Sequence, residues 1–144
     1  MLPDALIRAR KIKLIAFDID GVMTDGTLYF GDDGLEYKGF NSLDGHGLKM
    51  LQGTGVELAI ITGRSSRVVE CRAKNLGITL VHQGAHDKLA VYESLCRELD
   101  LQCDETAFIC VRENRCELHD ASLRSDLAAF SRSCQGRATF IGCW

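Results

Sequence analysis

The chain has 144 residues, 17 Lys and Arg against 20 Asp and Glu, and a formal net charge of -3. That length suits one domain, and 46% hydrophobic with 26% charged residues supplies a core and excludes a disordered tail. The mildly acidic balance leaves no electrostatic footprint for nucleic acid or an anionic membrane. No apolar run approaches the roughly 18 residues that span a bilayer, and residues 1–13 carry no apolar secretory core, so a cytoplasmic chain without nucleic-acid or membrane partners is expected.

Residues 11–17 (KIKLIAF) form an isoleucine-rich run that ends at acidic residues and a glycine, which predicts a buried strand and then a loop. Residues 27–30 and 35–38 flank Gly31-Asp-Asp-Gly34, a β-hairpin pattern with glycines at the turn. Residues 44–52 place Leu48 and Leu51 on one face before Gly53, predicting a short helix with a glycine stop. A second buried strand is expected over 56–61, a helix over 65–76 closed by Gly77, a third strand over 78–81, a helix over 88–99 and a fourth strand over 106–111. This alternation predicts an α/β fold, a Rossmann-like parallel sheet with helices on both faces and right-handed crossovers. After Val111 the periodicity fades, with one weak amphipathic helix over Leu118, Leu123, Leu127 and Phe130 and a terminal strand over 138–141.

Seven cysteines are an odd number, which argues against a secreted disulfide framework. Cys71 and Cys96 fall in helical patterns, and Cys116-x-x-His119 has the spacing of half a zinc site without a second pair to complete it. Buried or incidental thiols are the simpler reading.

Ligands of open α/β sheets bind beyond the carboxyl ends of the strands. Here those ends carry Asp18-Ile-Asp-Gly-Val22, Thr62-Gly-Arg64 and, after a loop, Lys88. Two carboxylates, a hydroxyl and an ammonium converging on one crevice suit phosphoryl transfer. Asp18 would attack phosphorus, and Asp20 would protonate the leaving oxygen and then activate water. Thr62 and Lys88 would hold phosphate oxygens. A magnesium ion on Asp18 and Asp20 would offset the repulsion between carboxylates and phosphate.

The constellation resembles the haloacid dehalogenase superfamily of phosphatases. Asp18-Ile-Asp-Gly-Val-Met-Thr-Asp-Gly26 is similar to its first motif, Ile60-Ile-Thr-Gly-Arg64 to its second and Lys88 to its third. More narrowly, residues 17–28, Asn41-Ser-Leu-Asp-Gly-His-Gly-Leu-Lys49, Ile61-Thr-Gly-Arg64 and Gln83-Gly-Ala-His-Asp-Lys88 look like the capless 3-deoxy-D-manno-octulosonate 8-phosphate phosphatase family, over roughly the first three-quarters of the chain. The resemblance implies that the β-hairpin is a flap, that there is no cap domain, and that a homotetramer whose hairpins meet centrally carries out Mg2+-dependent hydrolysis of a sugar-acid phosphate. By motif position it places Asp20, Asn41, Ser42, Leu43, Asp44, Gly45 and Lys88 at the substrate, with Lys49, Arg64 and Arg72 near its carboxylate or phosphate. His46 and His86 read as loop or supporting residues.

The family's fourth motif, Gly-Asp-Asp and a further Asp, would supply more carboxylates, but the aligned place reads Cys110-Val-Arg-Glu113. Glu113 is the nearest acid, with Glu117 and Asp120 beyond it. The expectation is a phosphatase core over 1–111, a divergent tail of the same domain over 112–144, and impaired magnesium binding. The loss of motif and periodicity at one point near Ile109 motivates a reading-frame change as its cause, which resequencing an independent clone would test. Two other readings compete. A receiver-type signalling module is disfavoured because no suitable Asp ends the second or third strand, whereas a catalytically silent relative acting as a binding or assembly subunit is favoured by the altered fourth motif.

Overall fold

The computed structural model describes residues 3–111 and 139–142. After a seven-residue helix α1 (Pro3–Ala9), absent from the sequence expectations, the chain forms β1 (Leu14–Phe17), the hairpin strands β2 (Tyr29–Phe30) and β3 (Glu36–Tyr37), and α2 (Ser42–Gln52). There follow β4 (Glu57–Ile61), α3 (Arg67–Leu76), β5 (Leu80–His82), α4 (Lys88–Glu98), a 3-10 turn at Cys103–Glu105, β6 (Thr106–Cys110) and β7 (Thr139–Gly142). Among the described residues the main sheet has five strands in the order β5-β4-β1-β6-β7. β5, β4, β1 and β6 run parallel, and β7 closes the edge antiparallel to β6. The expected α/β architecture is therefore present, and the expected terminal strand pairs with β6.

Period-two alternation sorts the strand side chains onto two faces. Phe17, Leu58 and Ile60 pack with Leu48 of α2 and Val69, Ala73 and Leu76 of α3. Leu14, Ala16, Ala59, Ile61 and Phe108 pack with Tyr92 and Leu95 of α4 on the other. Because the strands are covered on both sides they read as continuous apolar runs, and each large aliphatic side chain buried there contributes about 1.5–3 kcal/mol. Across α4 and β6, Tyr92 stacks on Phe108 with centroids 5.5 Å apart, and its hydroxyl donates to Thr106 Oγ1 at 2.6 Å.

Several boundaries move for local reasons. The helix expected over 44–52 starts at Ser42 because the Asn41 carboxamide accepts from the Leu43 amide at 2.8 Å. Gly53 is not a left-handed stop: its φ is -62°, and the left-handed residue is Gly55 at +90°. Gly77 is the expected stop for α3, with φ 74°. The third strand begins at Leu80 rather than residue 78, since the Ile78 amide is used on Ala73 O at the helix end. The expectations on Glu113, Glu117, Asp120, Cys116 with His119, and the helix over 118–130 lie outside the described residues. Among the described residues no helix is long and apolar enough to cross a membrane.

The register levels the strand ends. Phe17 lies opposite Ile60 of β4 and Ile109 of β6, and the amide of Asp18 continues the ladder to Ile109 O at 2.9 Å. The Thr62 amide likewise continues to His82 O at 3.0 Å. Whatever follows β1, β4 and β5 thus opens into one crevice.

Candidate active site

Asp18, the first residue past β1, is 2% exposed, and Lys88, the first residue of α4, is 9% exposed. The Lys88 ammonium donates to Asp18 Oδ2 at 2.5 Å, and the Ile19 amide donates to Oδ1 at 2.7 Å. Lys88 points there because Asp87 is the N-cap of α4, its side chain accepting from the Ala90 amide at 3.0 Å. Thr62 is also buried, and its carbonyl accepts from the Ala85 amide at 3.0 Å, drawing the loop before α4 over the end of β4. A methyl group on Gly63 would lie 3.9 Å from Lys88 Cε, so the lysine stem passes directly beside that glycine. Asp18, Thr62 and Lys88 are the buried polar members of the crevice.

Asp20 is half-buried and lies in a ring of charges. Its Oδ1 accepts from Lys38 Nζ at 2.6 Å, and Lys38 also donates to Glu36 Oε1 at 2.9 Å. Arg64 closes the ring, with Nη2 3.1 Å from Glu36 Oε1 and Nε 3.7 Å from Asp20 Oδ2. The Lys38 side chain is 1% exposed. Burial alone draws its ammonium down, but hydrogen bonds to Asp20 and Glu36 and their charges outweigh this and leave its pKa raised. Burial likewise pushes the Glu36 carboxyl up, and Lys38 and Arg64 more than reverse it. Arg64 also sits over the Phe30 ring, 6.0 Å from its centroid. Glu36 and Lys38 were missed in the sequence. Their signal is a spacing of two in extended chain, Glu36 in β3 and Lys38 just past its end, which puts both on one face of the hairpin.

The remaining candidates lie around α2. Asn41, Ser42, Leu43, Asp44 and Lys49 are exposed, and Gly45 is buried. Arg72, from α3, donates to the carbonyl of Asn41 at 3.0 Å, stacks over Phe40 at 5.4 Å and reaches Asn75 at 3.4 Å. A Cβ on Gly45 would lie 2.5 Å from its guanidinium, so glycine there makes room for it. In this structure Arg72 therefore braces the start of α2. His46 and His86 are solvent-exposed.

Past β6, Val111 packs against the first motif: a Cβ on Gly21, which has φ +81°, would come 2.8 Å from Val111 Cγ1. Among the described residues no group of three or more His, Cys, Asp or Glu side chains is placed to hold a metal ion.

No protein-family model matches the chain. It is 44% identical over 106 residues to the 3-deoxy-D-manno-octulosonate 8-phosphate phosphatase KdsC of Yersinia pestis, a match covering 74% of this chain and 57% of that protein. The crystal structure of the corresponding phosphatase from Moraxella catarrhalis, in complex with magnesium, phosphate and a KDO molecule, superposes with a TM-score of 0.72 and 41% identity over 75% of this chain and 62% of that one. A Legionella pneumophila chain described as a haloacid dehalogenase superfamily (subfamily III A) hydrolase superposes with a TM-score of 0.69 and 43% identity, over 72% of this chain and 57% of its own. Over the stretch it shares with these proteins, the chain is similar to haloacid dehalogenase superfamily hydrolases. It spans less than two-thirds of each of their lengths. The sheet order sets Asp18 and Thr62 side by side, since β1 and β4 are neighbours, and the start of α4 brings Lys88 to them.

Proposed function

We propose that this chain is a phosphomonoesterase acting on 3-deoxy-D-manno-octulosonate 8-phosphate through an aspartyl-phosphate on Asp18. The observation that carries the reading is the buried Asp18–Lys88 pair at the end of the central strand, 2.5 Å apart, with Thr62 at the neighbouring strand end. An ion pair so placed is a poor stabilising device, because desolvation offsets much of its attraction, but it is a poised nucleophile beside a phosphate anchor.

In this reading a carboxylate oxygen of Asp18 attacks phosphorus. The bond from phosphorus to the sugar oxygen breaks, and its electron pair leaves on that oxygen, which takes a proton from Asp20. Lys88 moves from the Asp18 carboxylate to the phosphoryl oxygens, joined by the Thr62 hydroxyl. Asp20 then removes a proton from water, whose oxygen attacks phosphorus and releases Asp18 and inorganic phosphate. Asn41, Ser42, Leu43, Asp44 and Gly45 would line the sugar end, with Lys49, Arg64 and Arg72 toward the anionic groups. Arg72 would act there while bracing Asn41.

Asp18 and Asp20, two residues apart on one loop, are the residues that would hold Mg2+, an ion commonly held by one or two carboxylates with water and phosphate oxygens. Both carboxylates are already engaged by Lys88, Lys38 and Arg64, so binding would have to displace a cation. When bound, Mg2+ would supply charge neutralisation for the phosphate. The apolar Val111 at the end of β6, where the resemblance expects acid, supports lowered affinity for the ion and lowered turnover. Loss of supporting groups alone costs about 10–100-fold. The same observation favours the second reading, a silent relative that binds or assembles without turnover. Among assembly surfaces, the hairpin exposes Leu28, Tyr29, Phe30, Leu35 and Tyr37, which supports the homotetramer.

Phosphate release from the sugar-acid phosphate at millimolar magnesium tests the proposal. Turnover above background that vanishes in Asp18→Asn supports it. Turnover unchanged in Asp18→Asn refutes the nucleophile, and no release despite substrate binding favours the silent relative.

A further inference from the structure

The hairpin raises a physical question. Its strands are two residues each, too short to be stable alone, and the apolar side chains of Leu28, Tyr29, Phe30, Leu35 and Tyr37 are exposed rather than packed on the core. Yet Lys38, at its base, has its side chain withdrawn from solvent, which is costly for an ammonium unless it is paired. The pairing is a closed ring: Asp20 Oδ1 to Lys38, Lys38 to Glu36, Glu36 to Arg64, and Arg64 back to Asp20 Oδ2. The ring joins the loop after β1, the hairpin and the loop after β4. Two negative and two positive groups alternate around it, so each charge faces opposite charges on both sides.

We propose that Glu36 and Lys38 are positioning residues that lock the hairpin to Asp20 and fix the direction in which its carboxylate points. This rests on the assignment of Asp20 as the acid/base group, but the locking itself does not. A carboxylate held at one oxygen can swing about its Cβ–Cγ bond. Held at Oδ1 by the Lys38 hydrogen bond and faced at Oδ2 by the Arg64 guanidinium 3.7 Å away, it turns only at a cost to those contacts. Proton transfer depends on such placement, and here the placement is set from a flap element rather than from the sheet. Lys38 and Glu36 touch neither Asp18 nor Lys88 in this arrangement, so they act through Asp20.

The test compares the full chain with its Lys38→Met and Glu36→Gln variants, using Asp20→Asn as a control. Residue-resolved hydrogen exchange follows the Gly31 amide, bonded to Leu35 O, and the Met23 and Thr24 amides, bonded to Ile19 O. The expected result is acceleration of about tenfold or more in both segments together, with amides of β1 and β4 unchanged. With a phosphate monoester, kcat falls about 10–100-fold while KM stays within about twofold, because orientation rather than binding is lost. Acceleration confined to the hairpin overturns the proposal, as does kcat retained in both variants or KM raised with kcat unchanged. If Asp20→Asn keeps full turnover, the acid/base assignment fails and the exchange result alone judges the lock. The same holds if the parent chain shows no turnover.

Discussion

Replacing Lys88 with methionine tests whether the buried pair at the centre of the site is one energetic unit. At 2.5 Å, an effective dielectric of about 20 gives about 6–7 kcal/mol of attraction, much of it offset by removing both charges from water. Lys88→Met keeps the length of the stem but leaves the Asp18 carboxylate, 2% exposed, with the Ile19 amide as its remaining contact from this group of residues. The expected cost is about 3–5 kcal/mol, the penalty of a buried charge without its partner. Asp18→Asn strands the ammonium instead, though Lys88 sits nearer the surface and can turn outward, so a smaller loss is expected. The double variant removes both charges and should be less destabilised than the sum of the singles by at least about 1.5 kcal/mol. Urea unfolding followed by far-ultraviolet circular dichroism measures all four proteins. If the two losses add within about 0.5 kcal/mol, Asp18 and Lys88 are not coupled in solution, and the picture of a nucleophile held by its phosphate anchor fails.

Three further outcomes follow from the geometry. Within α2, Gly47→Ala should raise stability by about 0.5–1 kcal/mol, since nothing lies within 4 Å of the added methyl. Gly45→Ala should show no such gain, because the Arg72 guanidinium must leave Asn41 and Phe40 to admit it; thermal melts of the pair decide. In β6, Phe108→Ala should cost about 3–5 kcal/mol in the same urea assay, since Phe108 is 2% exposed and stacks on Tyr92. Burial pushes the Glu36 carboxyl up but Lys38 and Arg64 hold it below its ordinary 4.5, so its contribution to hairpin docking is full above that value and fades as pH falls through the lower folded one. Lys38, raised above 10.5, contributes fully below that value and fades only as pH climbs through its folded one. Hairpin amide chemical shifts should therefore be flat between about pH 5 and 9, and a midpoint near neutrality would refute the ring.

Much of this was legible in the sequence because the chemistry sits where the pattern is strongest. The runs ending at Phe17 and Ile61 are apolar on both faces, which marks central parallel strands, and the residues just past them are Asp18 and Thr62. Lys88 was legible because the apolar stripe of α4 is regular and starts directly after it. Strand edges were harder. Ile78 looks like strand by composition but is consumed by the end of α3, since its amide is needed at Ala73 O. The seven residues of α1 are too few to show a period. Glu36 and Lys38 were passed over for a different reason: charges on a hairpin are usually solvated, and nothing local reveals that Asp20 and Arg64, far away in sequence, will meet them. A tertiary ion network is a product of packing.

Charge balance separates the two functional readings. Asp18, Asp20 and Glu36 are matched by Lys38, Arg64 and Lys88, each engaged in a contact described above. A phosphate monoester near neutral pH brings about two further negative charges, and the site has no unmatched cation among these six groups to receive them. Lys88 can turn from Asp18 to the phosphate only if Asp18 acquires another positive neighbour. The phosphatase reading therefore requires anion binding that strengthens with a divalent cation, saturating together with it. A silent binding relative has no such requirement, since its ligand can exchange with Asp18 or Glu36 for an existing partner. Calorimetric titration of inorganic phosphate with and without magnesium distinguishes them: linked affinity, equal in both orders of addition, belongs to the enzyme, and magnesium-independent binding to the silent relative.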